Sequence, residues 1–210
     1  MDGFARVALP DAVRLRPGGG KVITIALAAV LVLGLGWQLV NGEVLGTLRA
    51  LPLSIAIVYL CWLVFWYPYV GVDPSGVTIR NIARTHHLTW PAITGVETRY
   101  ALTLVTRTGR VVAWAAPTGS RYVGSRATGR ELREAKVPGV ESGAITPGDS
   151  PASGSGLAAL YVRRTWDRLR EAGYLDSGVV EGTGVTVRVN WIALTIGLVL
   201  LLAGIAVAVI

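Results

Sequence analysis

Three charge-free apolar runs divide the chain, at residues 22–40, 51–70 and 191–210. Each is about twenty residues long, and at about 1.5 Å of rise per residue a helix of that length spans the ~30 Å hydrocarbon core of a bilayer. The pattern predicts a short N-terminal tail over 1–21, a transmembrane helical hairpin over 22–70 and a third transmembrane helix over 191–210. A polar segment, 71–190, lies between the second and third crossings.

Within that segment the hydrophobic period shortens to two, the signature of half-buried strands. Asp73-Pro74-Ser75-Gly76 is a turn tetrad, after which Val77 and Ile79 alternate with Thr78 and Arg80. Residues 81–84 turn the chain, and His86, Leu88 and Trp90 then share one face until Pro91 ends the strand. Val96, Tyr100, Leu102 and Leu104 fall on one face of the next stretch, with Glu97, Arg99, Thr103 and Arg107 on the other. A hairpin turn at 107–110 returns the chain as 111–116. The expectation is an antiparallel meander of four or five strands.

Residues 118–156 are rich in Gly, Ser, Pro and charge, a composition that buries too little apolar area to offset ordering. They are expected to form a flexible loop, with 130–136 as its one short helical stretch. Residues 157–172 read as an amphipathic helix, with Leu157, Tyr161, Val162, Leu169 and Ala172 on the apolar side and Gly173 as its stop. That stripe is expected to cover the meander in preference to lying in the membrane plane. Residues 185–190 alternate and are expected to pair briefly before the last crossing.

Composition agrees with this division. A mean hydropathy of +0.52 places the apolar excess in lipid. The first run is too long for a signal peptide and lacks a clear cleavage site before the second run, so it is expected to remain as a membrane helix. Arg6, Arg14, Arg16 and Lys21 precede it, whereas 41–50 carries only Arg49 and Glu43. The positive-inside rule therefore predicts a cell-membrane protein with its N-terminus and the 71–190 domain cytoplasmic and its C-terminus outside.

The net charge of +7 fits a surface facing anionic lipid better than one facing nucleic acid, which is not expected as a partner. Cys61, the single cysteine, lies within the second apolar run and reads as a packing residue. His86 and His87, adjacent on a strand, point to opposite faces and cannot chelate one metal together. Gly18-Gly19-Gly20-Lys21 lacks the spacing of a phosphate loop and opens a membrane helix. Catalysis, a metal and a cofactor are therefore not expected.

The remaining candidate is a lipid or partner surface made of Arg80, Arg84, Arg99, Arg107 and Arg110, each basic side chain being worth about 1 kcal/mol near an anionic leaflet. Ordinary solvated arginines that satisfy the positive-inside rule are the alternative. The glycines at 34, 36, 197 and 204 permit close helix approach without naming what approaches.

Gly71-Val72-Asp73-Pro74-Ser75-Gly76 through Arg80-Asn81, the Trp90-Pro91-Ala92-Ile93 stretch and the Thr108-Gly109-Arg110 hairpin together resemble the bacterial PH-domain families. The stretch resembles in particular actinobacterial membrane proteins related to the low molecular weight antigen 6 group, through Gly76, Arg80, Asn81, Trp90 and Ile93. The resemblance implies an α+β PH-like cytoplasmic domain, an antiparallel sheet closed by a C-terminal helix carrying Trp166. Seven strands are implied, against about five counted before the loop; 121–125 and 185–189 are candidates for the others. It also implies self-association as an option, and it does not imply specific phosphoinositide recognition. The function expected is that of a non-catalytic adaptor or assembly scaffold contacting anionic headgroups or protein partners, as a homo-oligomer or within a larger membrane complex. The alternative is an accessory subunit of a transporter or cell-envelope synthesis complex.

Overall fold

The computed structural model describes residues 13–118, 153–173 and 184–209. In chain order the elements are β1 (Val13–Leu15), α1 (Gly20–Val40), α2 (Val44–Phe65), β2 (Tyr69–Asp73), β3 (Gly76–Arg80), β4 (Arg84–Thr89), a 3₁₀ turn (Trp90–Ala92), β5 (Ile93–Glu97), β6 (Ala101–Thr106), β7 (Gly109–Pro117), α3 (Gly154–Glu171), β8 (Val185–Val189) and α4 (Trp191–Val209).

Helices α1, α2 and α4 are each long and apolar enough to cross a membrane, with mean hydropathies of 2.2, 2.0 and 2.8. The hairpin between α1 and α2 is tighter than its hydropathy suggested: only Asn41, Gly42 and Glu43 join the helices, with Gly42 at φ 82°. The second helix begins at Val44, not at 51, because an α-helix is not stopped by one charge. Arg49 has a stem long enough to carry its guanidinium toward the interface, and Thr47 returns its hydroxyl to the Glu43 carbonyl at 2.9 Å. Pro52 consequently lies inside the helix. The helix ends at Phe65, and Tyr69 and Val70, assigned by hydropathy to the membrane run, belong to the first strand after it.

Helix α2 is the centre of the bundle. Helix α4 crosses it at two glycines: a Cβ on Gly197 would lie 3.3 Å from the Tyr59 ring, and one on Gly204 would lie 2.7 Å from the Leu53 Cα. Tyr59 donates its hydroxyl to the Ala193 carbonyl at 3.0 Å. Helix α1 meets α2 at Gly20, where any Cβ would overlap the Phe65 carbonyl; Gly34 and Gly36 meet nothing within 4 Å. Small residues thus set the approach of both flanking helices.

The polar segment folds into two antiparallel sheets, one of five strands in the order β1-β2-β3-β4-β8 and one of three in the order β5-β6-β7. Val70, Val72, Val77, Ile79 and Leu88 face Leu102, Leu104, Val111, Ala113 and Ala115 across the core. Asp73 Oδ1 accepts the Ser75 and Gly76 amides at 2.8 and 3.2 Å, which fixes the β2–β3 turn. Trp90 is buried and donates its indole to the Asp73 carbonyl at 3.1 Å.

Several sequence expectations change. The stretch 96–104 is two strands, joined through 98–100, and Tyr100 is 77% exposed. Its even-numbered spacing from Leu102 and Leu104 hides the turn, because three intervening residues preserve the alternation. Helix α3 covers the sheets as expected, but it starts at Gly154, inside the expected loop, where Ser153 accepts the Gly156 amide as an N-cap. Its buried face is Ser155, Gly156, Ala158, Ala159, Val162, Thr165 and Leu169, with Tyr161 left 38% exposed. Small side chains let the helix backbone approach the sheets more closely than the bulky stripe would. Gly173, at φ 74°, ends it.

At the other extreme of the segment, β8 pairs with β4 along its full length, Arg84 opposite Val189 to Leu88 opposite Val185. The N-terminal tail also contributes: β1 adds to β2, with Val13 opposite Val72 and Leu15 opposite Val70. The expected remainder of the loop, with the helical stretch at 130–136 and the strand candidate at 121–125, lies outside the described residues, as does the linker over 174–183.

Candidate functional site

Side chains of paired residues in a sheet share a face, so the register sorts the outer surface of the five-stranded sheet into rows. The row nearest the membrane helices runs Tyr69, Arg80, Thr85, Arg188. The next row runs Arg14, Gly71, Thr78, His87, Thr186. Gly71 leaves room for the Tyr69 ring, from which a Cβ would stand only 3.3 Å. Three guanidinium groups gather on that ring: Arg14, Arg16 and Arg80 at 5.4, 5.8 and 5.3 Å from its centroid. Arg80 also lies 4.7 Å from the Tyr67 centroid, and Lys21 in the first turn of α1 lies 5.5 Å from Trp66.

This collar is a cation-rich surface to which no described residue contributes a carboxylate. Each cation–π contact contributes about 0.5–1 kcal/mol when exposed, enough to orient a side chain while leaving its charge intact. Among the described residues the one ion pair is Arg110 to Glu97 at 3.3 Å, so no described carboxylate neutralises Arg14, Arg16, Lys21 or Arg80. The Arg80 Nε is buried without a hydrogen-bond partner among the described residues. An anion with oxygens is the chemistry this arrangement accepts.

The collar sits where the domain is fastened to its helices. Asn81 spans the two sheets, donating to the Val112 carbonyl at 2.8 Å and accepting the Trp114 amide at 2.9 Å, which closes the edge of β7 as a neighbouring strand would. Asn190, the residue before α4, donates to the Asn81 and Ile82 carbonyls at 2.9 and 3.2 Å and accepts the Thr85 hydroxyl at 2.8 Å. Trp114 donates its indole to the Val64 carbonyl in the last turn of α2 at 3.1 Å. With β1 leading directly into α1, all three membrane helices join one end of the domain.

Of the five arginines singled out from sequence, only Arg80 lies in the collar. Arg84 opens β4 on the opposite face of the sheet from Arg80. Arg99, stacked 5.2 Å from the Tyr100 centroid, and Arg107 lie beyond opposite ends of β6, and Arg110 reaches toward Glu97. The five do not converge. Arg14, Arg16 and Lys21 complete the site instead; sequence reasoning used them for orientation alone. A signal for them lies in the aromatic run Trp66-Tyr67-Pro68-Tyr69, whose ring faces attract cations.

His86 lies in the inward-facing row between Ile79 and Val187. Burial holds its imidazole below the usual 6.5, and the Arg84 guanidinium adds to that. His87 shares a hydrogen bond of 3.1 Å with the Thr78 hydroxyl on the outer face.

Three long apolar helices joined to two packed antiparallel sheets and a covering helix define a membrane protein with a PH-like domain. Residues 67–136 match the family model described as a bacterial PH domain. The match begins at Tyr67 and so takes in Tyr67, Tyr69 and Arg80, whereas Arg14, Arg16 and Lys21 come from outside it. No curated protein and no solved structure matches the chain.

Proposed function

We propose that the protein is a non-catalytic membrane-proximal scaffold, its PH-like domain held on the cytoplasmic face with the collar against anionic headgroups. The observation that carries this reading is the fastening of one end of the domain to all three helices, reinforced by Asn190 and Trp114. A domain so held needs little lipid affinity to stay at the surface, which favours assembly over recruitment. The basic residues before α1 support the cytoplasmic placement and an outer C-terminus. The likeness of Gly76, Arg80, Asn81, Trp90 and Ile93 to the actinobacterial antigen 6 group supports an origin of that type.

Purification of the full chain in mild detergent, with co-purifying lipids and proteins quantified, tests the role. Enrichment of anionic lipid that declines with salt, or self-association, supports the scaffold. A stoichiometric different protein without lipid enrichment would replace it with the accessory-subunit reading.

A further inference from the structure

An apolar groove of about 460 Å³ runs between α1 and α2, lined by Thr24, Ala28 and Leu35 on one side and Ser54, Val58 and Trp62 on the other. Its hydroxyls are already committed: Thr24 and Ser54 donate to the Gly20 and Ala50 carbonyls at 2.9 Å, and Tyr59, also on its wall, to Ala193 at 3.0 Å. The surface the walls present is almost wholly apolar. From Thr24 to Leu35 the groove extends about 16 Å at ~1.5 Å per residue, half of a ~30 Å core and thus the depth of one leaflet.

The Lys21–Trp66 part of the collar stands at its mouth. Lys21 precedes Thr24 by one turn, and Trp66 follows Trp62 by one turn, so the Lys21–Trp66 pair caps the Thr24–Trp62 end of the groove. A second transmembrane helix, about 10–12 Å across, would have to part α1 from α2. The contact at Gly20 and the three-residue turn at 41–43 oppose that.

We infer that the groove holds one acyl chain of an anionic glycerophospholipid of the domain-side leaflet, its phosphate seated among Lys21, Arg16 and Arg80. The inference rests on the reading of the collar as a headgroup surface and adds a single, stoichiometric lipid to it.

The full chain in nanodiscs of equal phosphatidylglycerol and phosphatidylcholine, released into mild detergent and weighed by native mass spectrometry, provides the test. One retained lipid per chain is expected, with phosphatidylglycerol preferred at least about fivefold. Ala28→Trp, which fills the groove, abolishes retention; Lys21→Gln with Arg16→Gln keeps a lipid but brings the preference close to even. Undiminished retention by Ala28→Trp, with the preference still lost in the collar variant, overturns the groove and leaves the headgroup surface standing. No preference in the unaltered chain overturns both.

A measurement that needs no groove variant to fold uses acyl-brominated lipids in the same nanodiscs. Brominated phosphatidylglycerol should quench the Trp62 component, defined by difference from Trp62→Phe, at least about twofold more than brominated phosphatidylcholine, as a preference of about fivefold requires. Equal quenching by the two lipids contradicts the inference.

Discussion

Trp114 of the three-stranded sheet donates its indole N–H to the carbonyl of Val64 in the last turn of α2, at 3.1 Å. The residue four positions after Val64 is Pro68, which has no amide to offer. The carbonyl that proline leaves unpaired at the end of a membrane helix is thus satisfied from the domain.

Trp114→Phe keeps the ring and removes only the donor. The full chain in detergent should lose about 1 kcal/mol of stability, and hydrogen exchange should rise where α2 meets β2. Unchanged exchange there would show that the bond does not fasten the domain.

Asn190 distinguishes its own donors from its acceptor. Asn190→Ala removes both kinds of bond and should cost about 1–3 kcal/mol. Asn190→Asp keeps an acceptor for Thr85 but turns a carboxylate toward the Asn81 and Ile82 carbonyls. Thermal unfolding should rank the aspartate variant below the alanine variant.

The sequence and the structure part company over distance along the chain. The turn at Asp73 to Gly76, the hairpin at 107–110 and the three helices rest on neighbouring residues, and they form where local chemistry placed them, although the second helix runs from Val44 to Phe65 and not from 51 to 70. β1 is only three residues long in a charged stretch, so nothing local marks it; it exists because β2 offers an edge to extend. The collar has the same cause, bringing Arg14, Arg16 and Lys21 to rings at 66–69 through sheet register and the docking of α1. Gly197 and Gly204 are visible in the sequence as small residues within an apolar run, but Gly20, which sets the α1–α2 contact, falls just before the first run, at the end of the N-terminal tail.

Gly20→Ala forces its Cβ into the Phe65 carbonyl, and overpacking of this kind costs about 1–3 kcal/mol. Gly34→Ala, with open space around it, should change stability by no more than about 0.5 kcal/mol. Parallel thermal unfolding of the two variants checks the contrast, and equal losses would place the helix contact elsewhere.

His86 makes stability depend on pH in a stated direction. Its folded-state value is depressed by burial and by Arg84 from an ordinary 6.5, so below about pH 6.5 the unfolded chain binds a proton that the folded chain resists. Stability should therefore be flat above neutrality and fall as pH drops from 6.5 toward the depressed value. His86→Gln should reduce that slope; an unchanged slope would assign it to other groups.

The rigid fastening of the domain to its helices is tested most directly by spin labels on the full chain in nanodiscs. With Cys61→Ala as background, Thr108→Cys labels the exposed β6–β7 turn and Leu45→Cys labels the first turn of α2. A single narrow distance distribution is expected, broadening when Trp114→Phe and Asn190→Ala are combined. A broad distribution in the otherwise unaltered chain would show a domain that swings freely on its linkers, and would contradict a scaffold held in place at one end.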